Sequence, residues 1–222
     1  MQWMALDVLK EQYAHINPAP AFASNVLREA IISGILHPGT IVRQDTIAAR
    51  LGLSKIPVRE ALRILETEGL VRFEMNRGVL VTDLSVDEMA ELFMLRRLIE
   101  CRALELSIPH LTEDDLARAQ HLLDEEASCH DLVRISEINR AFHDCLICCG
   151  PTRKARSVVS TLLAQCERYV RLHMSGEEDR ARSHQEHKAI LDAARTREPD
   201  RVIDLMNDHF DQVIRALGER IA

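Results

Sequence analysis

Apolar residues recur at intervals of three and four along most of the chain, the period of a helix that buries one face. In residues 21–33, Val26, Ala30 and Ile31 share such a face, and Gly34 with His37-Pro38-Gly39 ends the helix and turns the chain. A second helix is expected over residues 44–51. The turn Leu51-Gly52-Leu53 separates it from a third, which starts from Ser54 as N-cap and holds Pro57 in its first turn, where proline is tolerated. Val58, Ala61, Leu62, Ile64 and Leu65 form the expected core side of that helix, and Gly69 ends it. The pattern then changes. Residues 70–74 and 79–82 alternate or run apolar and are partly β-branched, with Asn76-Arg77-Gly78 between them, which predicts a two-stranded ribbon.

From Ser85 the helical period returns and persists to the end. Helices are expected near 86–108, 112–127, 131–148, 152–174, 179–196 and 198–220. Ser85 and Thr112 act as capping residues, Ser175-Gly176 as a stop, and Pro199 sits just inside the last helix. The expected fold is mainly α. It has an N-terminal arm over 1–20, closed by the helix-breaking Asn17-Pro18-Ala19-Pro20. A helix-turn-helix with a ribbon follows over 21–83, and an all-helical bundle over 84–222.

Composition agrees with helices: 46% of residues are hydrophobic but only 4% aromatic, so cores rest on Leu, Ile, Val and Ala. The net charge of −7 argues against nucleic acid only until it is resolved along the chain. Residues 20–82 carry eight Lys/Arg against six Asp/Glu, whereas 83–222 carry nineteen against twenty-seven. A basic head on an acidic body is compatible with DNA, because phosphate contact needs local charge and not a basic total. No apolar run spans a membrane, and the N-terminus lacks the basic start and apolar core of a secretory signal. The six cysteines, at 101, 129, 145, 148, 149 and 166, are therefore expected as reduced thiols in the cytoplasm. Cys145, Cys148 and Cys149 form CxxCC, but no second pair lies at zinc-site spacing, so core packing is expected of them.

Helix-turn-helix docking places the start of the second motif helix against the major groove. That start carries Ser54, Lys55 and Arg59, the last two four residues apart and on one side. Arg63 reaches a phosphate or is solvated. Arg77 at the ribbon tip suits phosphate or the minor groove, with Gly78 allowing the tight turn. Arg43 and Gln44 stand where the preceding helix meets the backbone. In the bundle, Asn139 and His143 share a helix face, while His187 and His209 lie among apolar neighbours on two further helices. Three imidazoles and one oxygen converging inside a bundle would suit Zn²⁺, Ni²⁺ or a similar divalent ion. His184 is a weaker substitute for His187, and His130 and His173 are expected at the surface or in loops. No nucleophile elbow, phosphate loop or general base beside the histidines points to an enzyme.

SKIPVREALRILETEGLV, preceded by IAARLGL and followed by RGVLV, closely resembles the GntR family of bacterial winged-helix transcription regulators over residues 22–82. The family has Ser-Arg-x-Pro-Val-Arg-Glu-Ala-Leu here. Lys55 departs from it, keeping the charge but losing the bidentate fork, whereas Pro57, Arg59, Glu60 and Gly78 match. LFMLRRLIECRALEL and NRAFHDCLI, with EHKAIL and MNDHF following, resemble the FCD effector domain of the fatty-acid-regulator subfamily over 85–220. The resemblance implies a homodimeric repressor on an inverted-repeat operator. It also implies a metal held by Asn139, His143, His187 and His209, and a small carboxylate effector gripped by Arg96 with Glu100 beside it. Tyr169 and Arg171 are weaker candidates for the effector cavity's wall. The competing expectation for Arg96 and Glu100 is a surface i,i+4 ion pair.

Overall fold

The computed structural model describes residues 2–75, 78–150 and 153–221. The chain divides into two compact units, Met1–Leu84 and Ser85–Ala222. Among the described residues no helix is long and apolar enough to cross a membrane.

The first unit runs α1 (Gln2–Gln12), α2 (Ala19–Ile32), β1 (Ile41–Val42), α3 (Gln44–Leu51), α4 (Lys55–Thr67), β2 (Val71–Glu74) and β3 (Gly78–Val81). Gly52 closes α3 in the left-handed region (φ 70°), which a residue without Cβ adopts at no steric cost. Ser54 caps α4 by position only, its side chain making no cap hydrogen bond. Val58, Ala61, Leu62 and Leu65 of α4 are fully buried against Val26, Leu27 and Ala30 of α2. Ile64, expected in this core, is exposed: the buried stripe at 58, 61, 62 and 65 faces inward and leaves 64 on its flank.

Two further expectations are corrected. The described part of the N-terminal segment, expected as a mobile or partly helical arm, is helical over Gln2–Gln12 and packed. Helix α1 packs on α2 and α3 and inserts Leu6 and Leu9 into the core, and Lys10 Nζ donates to the carbonyl of Arg50 (3.2 Å). The ribbon also has a third strand, because Ile41 and Val42 pair antiparallel with Leu80 and Val79 and give the order β1-β3-β2.

The second unit holds α5 (Val86–Ser107), a 3-10 turn (Ile108–His110), α6 (Glu113–Ser128), α7 (Leu132–Leu146), α8 (Arg153–Met174), α9 (Glu177–Arg195) and α10 (Pro199–Ile221). Ser85 accepts from the Glu88 N–H to cap α5, and Thr112 and Asp115 form a reciprocal capping box on α6. Helix α5 packs on α8 and α10, α6 on α7 and α9, and α7 on α8.

Candidate functional site

The bundle's centre is polar because polar residues stand at core positions of otherwise apolar stripes. On α7 the buried positions are Ile135, Ile138, Asn139, Phe142, His143 and Leu146. On α9 they are Ser183, His187, Ile190, Leu191 and Ala194, and on α10 Val202, Met206, His209, Phe210, Val213 and Leu217. Spacing of three and four leaves the imidazoles no route to solvent. His143, His187 and His209 are all buried, and one ligand atom from each lies within 4.8 Å of the others. Phe142 lies 4.8 Å from the His187 ring, centroid to centroid, and forms part of the wall.

His143 and His209 each have a carboxylate within hydrogen-bond reach, and His187 has one at ion-pair distance. His143 Nδ1 is 3.1 Å from Glu100 Oε2, His209 Nδ1 is 2.6 Å from Glu186 Oε2, and His187 Nδ1 is 4.0 Å from Glu126 Oε2. Glu100 is ionised. Burial pushes its pKa up, but Arg96 and then His143 outweigh this and bring it to about 2. An ionised carboxylate only accepts, so His143 Nδ1 carries the hydrogen and Nε2 is left with a lone pair. That Nε2 and both nitrogens of His187 are buried without a partner. Orphaned buried polar atoms each cost about 1–3 kcal/mol, and a carboxylate on the far nitrogen is how proteins orient a metal-binding imidazole. The residues present therefore fit a divalent ion.

Arg96 Nε donates to Glu100 Oε1 (2.6 Å), and its guanidinium lies 5.0 Å from the centroid of Phe210 and 5.2 Å from that of Phe93. The expected alternative of a surface pair is half right: the pair forms, but at 2% and 1% exposure. Arg96, Asn139, His143 and His209 line one cavity together with His173. Its volume, about 10 Å³, is that of a single water and not of a carboxylate metabolite.

His173 was expected at the surface and is buried, its Nε2 2.9 Å from Ser183 Oγ. The signal was present in α8: positions 159, 162, 163, 166, 169, 170 and 173 make one stripe. Tyr169 and Arg171 do not line the cavity. The Tyr169 hydroxyl donates to Glu88 Oε2 (2.9 Å) and pins the start of α5, whereas Arg171 turns to Glu167 (2.8 Å) and Ser136 (3.3 Å). His184 is bonded to Glu126 (2.9 Å) outside the histidine trio, and His130 is exposed as expected.

In the first unit Ser54, Lys55, Arg59 and Arg43 are exposed, and Gln44 and Pro57 half-exposed. Lys55 Nζ pairs with Asp45 (2.6 Å), but both groups are about 70% exposed, so the pair is worth roughly 0–1 kcal/mol and yields easily to a phosphate. Arg63 is less available: it pairs with Glu66 (2.6 Å) and lies 4.0 Å over the Phe73 ring. Gly78 has φ 100° opposite Glu74, and Arg77 lies outside the described residues. Ile56, which sequence reasoning passed over, stands 71% exposed between Lys55 and Pro57.

Residues 22–81 match the model of the bacterial regulatory proteins, gntR family, and 91–212 match the FCD domain. The chain belongs to the GntR family. This GntR protein is 31% identical to the uncharacterized HTH-type transcriptional regulator BphR of Paraburkholderia xenovorans (strain LB400), over 86% of its length and 83% of that protein. It is 29% identical to the gluconate operon transcriptional repressor of Bacillus subtilis (strain 168), over 84% and 80%. A crystal structure of a GntR family member from Pseudomonas syringae pv. tomato str. DC3000 superposes with a TM-score of 0.56 at 30% identity, covering 99% of this chain and 95% of that one. These relatives are transcriptional regulators, and this GntR chain carries the family's DNA-binding helix-turn-helix over residues 22–81.

The buried histidines are expected to make this GntR protein acid-sensitive. Burial, the largest cause, lowers the pKa of His143 and His209 below the usual imidazole range and that of His173 to about 4. These groups are neutral when folded, whereas the unfolded chain takes up their protons below about pH 6.5. Their stability contribution is complete above that value and is lost as pH falls through the depressed values. Glu186, pushed up to about 7 by burial, works in the opposite sense. Three histidines against one carboxyl leave a net loss on the order of 1–2 kcal/mol between pH 7.5 and 5.5. Urea unfolding of chelator-treated protein at the two values checks this; equal midpoints would show that water already reaches the rings.

Proposed function

We propose that this chain is a metabolite-responsive repressor. A homodimer binds an inverted-repeat operator through one winged helix per half-site, and a small carboxylate bound in the helical unit controls that affinity. The observation that carries the reading is the buried centre of the second unit. Its three buried histidines and buried arginine have no structural need to be there, since apolar residues would fill the same stripes at lower cost. His143, His187 and His209, with Asn139 as oxygen donor, would hold a divalent ion of the zinc or nickel class. Bound there, the ion supplies a Lewis-acidic site for a carboxylate oxygen. Arg96 supplies the second grip, and the name of the gluconate operon repressor favours a sugar acid.

The cavity's small size makes the switch physical. A carboxylate metabolite has no room in this arrangement, so it selects an opened one in which Arg96 exchanges Glu100 for the ligand. A ligand shifts an equilibrium only by its differential affinity for the two states, and an effector that fits one state alone meets that condition. Dimerisation has a surface of its own in α5, which exposes Met94, Leu95 and Leu98 side by side, Leu98 at 65%.

In the first unit Arg59 and Lys55 reach base edges or phosphates from the start of α4, with Ser54, Pro57, Arg43, Gln44 and the Gly78 wing around them. Arg59→Ala is expected to weaken specific binding by about 1–3 kcal/mol, the range of one good guanine contact. Mobility-shift titration of DNA from upstream of the protein's own gene, against excess unrelated duplex at two salt concentrations, tests both points. Retained specific binding that sugar acids release supports the reading. Binding that competitor abolishes with metal present, both with and without carboxylates, would end it, and an Arg59→Ala protein of unchanged specificity would move the reading surface elsewhere.

A further inference from the structure

The far end of α7 carries a second cluster of donor atoms. Cys145 lies in the helix's last turns, and Cys148 and Cys149 in the loop beyond it. Core packing, the sequence expectation for all three, does not hold: they are half-buried, and of the six cysteines only Cys166 is fully enclosed. Cys148 Sγ and Cys149 Sγ are 3.4 Å apart, and Cys149 Sγ is 3.7 Å from Asp115 Oδ2 at the start of α6. One donor atom from each of Asp115, Cys148 and Cys149 lies within 4.8 Å of the others.

The backbone fixes this arrangement. The Cys149 N–H donates to Ser107 Oγ (3.0 Å). Gly150 has φ 81°, and a Cβ there would stand 2.2 Å from the carbonyl oxygen of Leu106. Only glycine lets the loop lie this close to the end of α5, so the sulfur pair is held against α5 and α6 and is not carried on a free tip. Asp115 is equally fixed. Its Oδ2 accepts from the Thr112 N–H (2.9 Å) and Oγ (2.7 Å), and Arg118 takes the other oxygen. A carboxylate offers about four lone-pair positions; the fourth accepts from the Cys149 thiol and is freed when that thiol loses its proton to a bound ion.

We propose that Cys148, Cys149 and Asp115 form a second ion site, separate from the histidine centre, for a thiophilic divalent cation of the zinc and cadmium class. Two sulfurs and one oxygen are too soft a set for magnesium or calcium. On binding, two S–H bonds break, their protons pass to solvent and two sulfur–metal bonds form. The ion with two thiolates and one carboxylate carries one net negative charge, which Arg118 faces.

The carboxylate favours ion binding over redox sensing: an ion needs a third donor, whereas two sulfurs that only form a disulfide do not. A bound ion would tie the end of α7 to the start of α6, on the helix that also carries Asn139 and His143.

The test is titration of reduced, metal-free, full-length protein with cadmium(II), followed by sulfur-to-cadmium charge-transfer absorption and by counting bound metal. Nitrogen and oxygen ligands give no such band, so it reports thiolates alone. The expected result is a band that disappears in C148S and in C149S and that saturates at one cadmium per chain in H187A, where the histidine centre no longer competes for the ion. Circular dichroism establishes that the serine variants fold. Absence of the band in the wild-type protein, its survival in both serine variants, or saturation at one cadmium per two chains would each overturn the site.

Discussion

Glu100→Ala is expected to destabilise the second unit by about 3–5 kcal/mol, the cost of leaving one member of a buried ion pair without its partner. Glu100 satisfies two groups at once: Arg96 Nε donates to one oxygen, and His143 Nδ1 lies 3.1 Å from the other. Both partners are buried to within 2% of full enclosure, so neither can turn to water when the carboxylate goes. Against a typical total of about 5–15 kcal/mol this is a large fraction of the fold's stability. The effect belongs to the unpaired charge and not to the pair itself. Arg96→Met with Glu100→Leu, which removes both charges and keeps apolar volume, should therefore recover most of the loss. Urea unfolding of the two proteins makes the comparison. A cost below about 1 kcal/mol for Glu100→Ala would mean that the guanidinium finds another acceptor.

The DNA-binding unit was legible because its signals are local. The left-handed Gly52, Pro57 in the first turn of α4 and the stripe Val58, Ala61, Leu62, Leu65 each constrain a few neighbouring residues, and all agree. What escaped was non-local. Strand β1 is two residues long, too short to show any period, and exists only through pairing with β3. Helix α1 carries a weak apolar pattern, and its burial depends on a groove that α2 and α3 together provide.

In the bundle, sequence named three of the four central histidines, and the reason for the miss is instructive. His143, His187 and His209 stand out through apolar neighbours, whereas His173, although flanked by Leu172 and Met174, is expected at the surface or in a loop. Its place on the stripe of α8 was the better guide. The same geometry disposes of Arg171, which lies two residues and about 200° of helix turn from His173 and so faces elsewhere. Tyr169 shares the stripe, but its hydroxyl is taken by Ser85 and Glu88 across the bundle, and no spacing rule reveals that. The six carboxylates and imidazoles that stand against one another, Glu100 with His143, Glu126 with His187 and Glu186 with His209, come from five chain segments on five helices. Pairing across such separations is decided by packing, and one sequence holds no record of it.

His187→Ala is expected to lower affinity for a zinc-class ion by more than 100-fold while leaving the fold intact. Loss of an outer carboxylate behind a metal-bound histidine costs about 10–100-fold, and loss of the imidazole itself must exceed that. His187 is the most telling of the three because neither of its nitrogens has a partner, so its removal breaks no hydrogen bond that holds the bundle together. The variant should consequently be no less stable than the wild-type protein without metal, apart from the cavity left beside Phe142. Glu126→Gln isolates orientation from ligation: Glu126 faces His187 but stands outside the trio, and its loss should weaken the ion by the smaller factor. Competition titration with a chromophoric chelator ranks the three proteins. Were His187→Ala to bind as tightly as wild type, the trio would not be the ligand set. Were Glu126→Gln to match His187→Ala, the carboxylate itself would be a ligand, and the coordination would pass through Glu126.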